Sequence, residues 1–213
     1  MAIWSTFVTG QWLSGSVALG GADSPGTLAD SVASVRYLEP TDPVQAEAKQ
    51  RVLDFCEEHP DALYRSCEPG HVTASCWVVD HVGRRGLVLL HAKVGRWLQP
   101  GGHADGEGHL VEVALKEAQE ETGIAGLEVW TEPLDVDVHL FVNRHRTEPD
   151  HLHFDVRYLV RAPEGAVAVT NHESEGHRWI TFDEIDDEAL GLDESTCRLA
   201  RHGFELASRL CAR

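Results

Sequence analysis

The sequence predicts an α/β (α+β) fold: a mixed sheet covered by helices. Strand-like and helical segments alternate irregularly along the chain, without the strict strand–helix rhythm of a doubly wound parallel sheet. No internal repeat is found along the chain. The 213 residues, 42% hydrophobic and 25% charged, suit one globular domain with an appendage better than two domains.

The appendage is residues 1–40. "WLSGSVALGGADSPGTLAD" is rich in Gly and Ser, and no Lys or Arg precedes Arg36. A secretory signal needs a basic start, which is missing, so the stretch is expected to be a weakly ordered extension, with Trp4, Phe7 and Trp12 available to dock on a core. The main domain, 41–213, opens with a helix over about 43–59. Asp42 is its N-cap, Pro43 its first residue, and Pro60 lies just past its end. Ala48, Val52, Phe55 and Cys56 form its apolar stripe. "VTASCWVVD" and "RGLVLLHAK" read as strands across a Gly-containing turn. The glycine loop "QPGGHADGEG" leads into a helix over 109–122, whose core face is Val111, Leu115 and Ala118. "EVWTEP", "LDVDVHLFV" and "HLHFDVRYLV" are strand-like, and "HRWITFDEI" is a short strand followed by a helix start capped by Asp183. A final helix over 194–211 carries Leu199, Leu206 and Leu210 at helical spacing.

Composition excludes several functions. Net charge is −17, from 18 Lys+Arg against 35 Asp+Glu, so nucleic-acid polymers and anionic membranes are repelled. A small phosphorylated ligand remains compatible if divalent metal neutralises the contact. No apolar run approaches a membrane span. Five cysteines, odd in number and without a C-x-x-C pair, fit a reducing cytoplasm better than a disulfide framework.

The helix at 109–122 ends in "LKEAQEETG". Glu117, Glu120 and Glu121 stand at i, i+3 and i+4 and so share a face. Like charges there cost about 0.2–0.5 kcal/mol per pair. Acidic groups at a helix C-terminus also oppose its dipole by about 0.3–1 kcal/mol each. A solvated acidic face is the bland reading; a hard all-oxygen site for Mg²⁺ or Mn²⁺ is the functional one, and spacing alone leaves both open.

"GGHADGEGHLVEVALKEAQEETGI", 101–124, closely resembles the Nudix box. Gly102, Lys116, Glu117, Ala118, Glu120, Glu121, Gly123 and Ile124 occupy its defining positions, and the stretch from about 71 to 190 resembles a bacterial Nudix domain. The resemblance implies a Nudix-type α/β/α sandwich and a metal-dependent hydrolase cleaving the pyrophosphate bond of a nucleoside diphosphate linked to another moiety. It implies Gly102, Glu117, Glu120 and Glu121 as metal ligands and Glu117, Glu120 and a late-loop glutamate, Glu173 or Glu175, as catalytic candidates. Two positions depart from the box. Its first Glu falls on Gly108, with Glu107 one residue early, and its Arg is Lys116. In the family these two partners are thought to support each other. Here Lys116 has Glu120 at i+4, or Glu107, within reach.

A second constellation lies on two strands. "DVDVH" places Asp135, Asp137 and His139 on one face, and "HLHFD" does the same for His151, His153 and Asp155. In an antiparallel hairpin of even offset these faces coincide, with opposed Cβ atoms about 4.5–5.5 Å apart. The expectation is an open polar wall that contacts substrate, joined by His103 and Asp105 from the glycine loop. Imidazoles favour Zn, Mn or Fe over Mg, so a second, transition metal there is the secondary reading. His71, Thr73 and Ser75 alternate on their strand and border the same pocket or simply a half-exposed face. Trp97 is expected in packing, Arg157 and Arg178 in surface ion pairs, and Cys76 in the core.

Two alternatives compete with hydrolysis: a nucleotide or metabolite sensor that has lost turnover, supported by Gly108 and Lys116, and a Nudix-type isoprenoid diphosphate isomerase, whose cysteine signature is not matched around Cys67 or Cys76. The expected partner is a small phosphorylated substrate, and the expected assembly a monomer or homodimer.

Overall fold

In the computed structural model, which describes residues 10–14, 25–142, 149–169, 171–172 and 174–211, two long strands organise the rest. β2 (Gly70–Val79) is buried along its whole length, as its near-continuous apolar run requires. β8 (His151–Arg161) lies parallel to it, from Gly70 beside Leu152 to Val79 beside Arg161. Around them the described strands form one nine-stranded mixed sheet. β3 (Arg85–His91) pairs antiparallel with β2, β4 (Arg96–Leu98) and β9 (Ser174–Thr181). β5 (Gly101–His103) pairs with the first half of β2. β6 (Glu128–Trp130) and β7 (Asp135–Phe141) share the other side of β8, and β1 (Trp12–Ser14) extends the sheet from β6.

Helices cover both faces, and alternation decides which residues meet them. Val72, Ala74, Cys76 and Val78 of β2, with Phe154, Val156, Tyr158 and Val160 of β8, share one core with helices α1 (Leu28–Tyr37), α2 (Pro43–Glu58) and α3 (Leu110–Thr122). Trp77, Val79 and Leu159 point the other way, into a core with α4 (Glu194–Leu210). α4 approaches so closely that a Cβ at Gly203 would lie 2.2 Å from a Trp77 ring carbon. Gly203→Ala should therefore destabilise by about 1–3 kcal/mol through overpacking. Thermal unfolding should fall by about 2–12 °C; an unchanged midpoint would show that α4 does not bear tightly on Trp77.

Most sequence-predicted elements are present. Asp42 caps α2, accepting from the Gln45 amide at 2.8 Å, with Pro43 in the first turn. Asp193 caps α4 in the same way. Three features differ. Within the stretch read as a weakly ordered extension, β1 docks on β6 and α1 packs on the sheet, with Trp12 edge-on to Trp130; Trp4 and Phe7 lie outside the described residues. The glycine loop contains β5, and β4 ends immediately before it. After β9 there is only a 3-10 turn, Phe182–Glu184, capped reciprocally by Thr181 and Glu184 instead of by Asp183.

Candidate active site

α3 ends at Gly123, whose left-handed backbone (φ 65°) is open to glycine at little cost. The following chain returns to this end: Asn171 Nδ2 donates to the Glu120 carbonyl at 3.1 Å, and the Val169 amide to the Thr122 carbonyl at 2.7 Å. The helix end and the late loop thus form one unit around the acidic residues. Strand β5 supplies the opposite side. The Gly101 amide donates to Glu121 Oε2 at 3.3 Å. A Cβ at Gly102 would fall 2.5 Å from the Glu117 carboxyl carbon, so only glycine lets that carboxylate lie against the strand. Glu121 is buried, the Glu117 side chain is 16% exposed, and Glu120 is 57% exposed. The structure therefore brings Gly102, Glu117 and Glu121 together, with Glu120 at the solvent edge.

Lys116 pairs with Glu117 at 3.3 Å and with Glu120 at 3.2 Å. Partial burial works to lower its pKa, but the two carboxylates outweigh that and hold the ammonium above its ordinary value. Glu107 does not serve Lys116. Its Oε1 accepts from the Gly26 and His109 amides, both at 2.7 Å, placing a carboxylate at the start of α3 where the helix dipole favours one.

The Gly108 departure has a physical cause. The chain entering α1 crosses directly over it, and a Cβ there would sit 2.0 Å from the Thr27 carbonyl oxygen. The Gly108 amide donates to the Gly26 carbonyl at 3.0 Å, and Ser31 Oγ donates to the Gly108 carbonyl at 2.8 Å. Residues 26–31 thus clamp the start of the helix where a box glutamate would otherwise act. Restoring that glutamate with Gly108→Glu should destabilise the protein by at least about 1–3 kcal/mol, read as a fall in the urea midpoint. A stable and more active variant would disprove the clamp.

The β7–β8 pair has the even register expected: Asp137 opposes Asp155, His139 opposes His153, and Phe141 opposes His151. The polar residues do share a face, but it is not an open one. Asp135, Asp155 and Arg157 are almost fully buried, and His151 and His153 are 7% and 9% exposed. The face is also the α4 face, whereas Gly102 and Glu117 lie on the α3 side.

The wall divides into two groups. One is an ion cluster. Arg157 binds Asp135 at 3.2 Å, Asp137 at 2.9 Å and Asp155 at 3.0 Å. Arg198 of α4 reaches Asp137 at 2.9 Å, and Arg157 Nη2 donates to Ser195 Oγ at 2.6 Å. Thr73 and Ser75 donate to Asp155 at 3.0 and 2.6 Å. Asp137 and Asp155 are therefore engaged inside the protein, which removes them from an open substrate wall. Burial works to raise the Asp137 pKa, yet His139, Arg157 and Arg198 hold it far below the ordinary carboxylate range.

The second group is imidazole. His71, His103, His151 and His153 converge from β2, β5 and β8, with ring centroids as close as 4.6 Å. Burial, followed by the positive Arg65 and neighbouring histidines, lowers His103 to about 4. Burial and four neighbouring histidines lower His153 to about 2. His139 stays half-exposed on Asp137, at 2.9 Å. Asp105 does not join the wall; it forks to Arg65 at 2.7 and 2.8 Å.

The other candidates sort as follows. Arg178 makes the expected surface pair, with Glu184, while Arg157 is the opposite of a surface residue. Trp97 packs against the core beneath α4, and Cys76 is fully buried. Glu173 lies outside the described residues; Glu175 is exposed, at the bulge of β9 opposite Leu90 and His91. His71 is the residue whose importance the sequence understates, because its partners come from other strands.

The architecture is an α/β/α sandwich whose acidic helix is set against a glycine strand. A NUDIX domain model matches residues 69–199, and the chain belongs to the Nudix family, a class of pyrophosphohydrolases acting on phosphorus anhydrides. No curated protein matches the sequence significantly. Among solved structures, an E. coli dihydroneopterin triphosphate pyrophosphohydrolase is similar at 16% identity, covering 63% of this chain and 95% of that one, with a TM-score of 0.51. A C. elegans Ap4A hydrolase, solved as a binary complex, is similar at 16% identity, covering 67% of this chain and 98% of its own, with a TM-score of 0.50. At such identity these likenesses concern the fold.

Proposed function

We propose that this protein is a divalent-metal-dependent hydrolase of a nucleoside diphosphate linked to another group, or of a related small diphosphate. The observation that carries this reading is the convergence of Glu117 and Glu121 on strand β5 at Gly101 and Gly102, with Glu120 at the rim. Three carboxylates and adjacent backbone oxygens form a hard donor set that fits Mg²⁺ or Mn²⁺. Glu117, Glu120 and Glu121 would hold the metal, with the Gly102 carbonyl as a further ligand. Bound metal supplies charge neutralisation on phosphoryl oxygens and acidifies water.

The chain's own groups do the rest. The Gly101 amide orients Glu121, and Lys116 restrains Glu117 and Glu120. Beside Glu121 a shallow open depression lined by Leu89, His91, Leu98, Gln99, Asn171 and Ser174 is where part of the substrate is proposed to approach. Glu173 and Glu175 flank Ser174 in the chain, and one of them is the proposed general base, with Glu117 as the other candidate.

The test is incubation of the purified protein with Mg²⁺ or Mn²⁺ and a panel of nucleoside diphosphate conjugates and triphosphates, with products separated chromatographically. Metal-dependent release of a phosphorylated fragment is the expected result, abolished by EDTA and restored by Mg²⁺. Ligands that raise the melting temperature without any turnover would establish the sensor reading instead, for which Gly108 and Lys116 speak.

A further inference from the structure

We propose that His71, His103, His151 and His153 form a closed four-nitrogen site for a transition-metal ion of the Zn²⁺ class, on the sheet face opposite the box glutamates. This inference does not depend on hydrolysis. Three strands bring the rings together: His71 pairs in register with His153 across β2 and β8, and β5 pairs Thr73 with His103 on the same face. One ligand nitrogen from each ring lies within 4.8 Å of all the others.

One pair already has the spacing that a metal needs. His151 Nε2 and His153 Nε2 are 3.2 Å apart. Two nitrogens bound tetrahedrally at the usual Zn–N distance are about 3.3 Å apart. His151 is also oriented as a ligand. Its Nδ1 lies 2.8 Å from the Pro149 carbonyl, which only accepts, so Nδ1 carries the proton and Nε2 presents its lone pair to the cluster. A backbone carbonyl fixing the second ring nitrogen in this way is the habitual outer support of metal-binding histidine.

The surroundings suit an ion that discards its water. His71, His151 and His153 are buried, and Phe141 lies parallel to the His153 ring at 4.9 Å. Imidazole donors select Zn²⁺, Co²⁺, Ni²⁺ or Cu²⁺ and discriminate against Mg²⁺, so Mg²⁺ at the acidic site would not displace the ion held here. Four protein ligands leave no open position, which marks the site as structural and not catalytic. The ion would join β5 to β2 and β8. Because Gly102, the neighbour of His103, is the residue against which Glu117 rests, an ion on one face would steady the carboxylates on the other.

The test uses the full chain, stripped with chelator and desalted, in wild-type form and as the Glu117→Gln/Glu121→Gln variant that disables the acidic site. Co²⁺ is titrated and followed by visible absorption, then displaced with Zn²⁺ in a calorimeter. Expected are one tight equivalent with the intense bands of tetrahedral Co²⁺, its full displacement by Zn²⁺, and retention of that equivalent in the glutamate variant, which lacks only the weak six-coordinate Co²⁺ that the wild-type carboxylates take up. His153→Gln and His103→Gln should each weaken binding on the order of 100-fold or more, since even the outer partners of metal ligands are worth 10–100-fold. Should the buried His153 variant fail to fold, the more exposed His103 variant and the wild-type spectrum decide the matter. Absence of binding, the weak spectrum of six-coordinate Co²⁺ alone, loss of the tight equivalent in the glutamate variant, or affinity unaltered by His103→Gln would each overturn the proposal.

Discussion

Glu120→Gln or Glu121→Gln should cut metal-dependent turnover by about 100-fold or more while leaving the melting temperature equal or higher. The loss follows from removing a full negative charge from a site whose work is electrostatic, where a single group is commonly worth about 10²–10³ in rate. The second half follows from local energetics. Glu120 is exposed, so its pair with Lys116 contributes about 0–1 kcal/mol after solvent screening. Against that, each carboxylate at the end of α3 opposes the helix dipole and its neighbours, an unfavourable contribution of similar size. Glutamine keeps an oxygen for the Gly101 amide, so the Glu121 replacement leaves that contact intact. Gained or unchanged stability beside lost turnover is the mark of residues kept for chemistry. Steady-state rates with saturating Mg²⁺ and a thermal scan in chelator measure the two halves separately. Full activity in both variants would remove the glutamates from the proposed site.

The acidic helix was legible because its information is local. Gly102, Glu117, Glu120, Glu121 and Gly123 stand at fixed separations along one helix and its entry loop, and helical geometry alone places three of them on a common face. The β7–β8 register was equally legible, since strict alternation over "DVDVH" and "HLHFD" leaves few pairings that keep Val136 and Phe154 in the core.

What the sequence withheld is what depends on distant segments. Alternation gives Arg157 a face; it does not reveal that α4, forty residues later, lies on that face and buries it. His71 meets His151 and His153 only through the parallel β2–β8 pairing, which links residues eighty apart. β5 was hidden for a different reason. Gly101 and Gly102 have low strand propensity and read as loop, yet Ser75 and Glu117 approach so closely that no side chain fits. Gly108 looked like damage to a motif. Its explanation sits in residues 26–31, within a stretch whose Gly- and Ser-rich composition hid helix α1.

Arg157→Met should be the most destabilising of the substitutions considered, by about 3–5 kcal/mol. The guanidinium is 1% exposed and is shared by Asp135, Asp137 and Asp155, the first of them with no exposure at all. Methionine fills much of the space but leaves three carboxylates without their central cation, and Arg198 reaches only Asp135 and Asp137. Asp155 would retain only the hydroxyls of Thr73 and Ser75. For a chain of this size the cost corresponds to a fall of about 6–20 °C in melting temperature. Adding Asp155→Asn should recover part of it, because the amide oxygen still accepts from both hydroxyls and one buried charge is gone. The double variant should therefore lie above the sum of the two single effects by an interaction energy of about 0.5–3 kcal/mol. Below their transitions these variants should hydrolyse substrate at the wild-type rate, since the cluster faces α4 and Glu117 rests on the α3 side. A rate defect in well-folded Arg157→Met, without loss of structure, would return the aspartates to the substrate wall that their alternation first suggested.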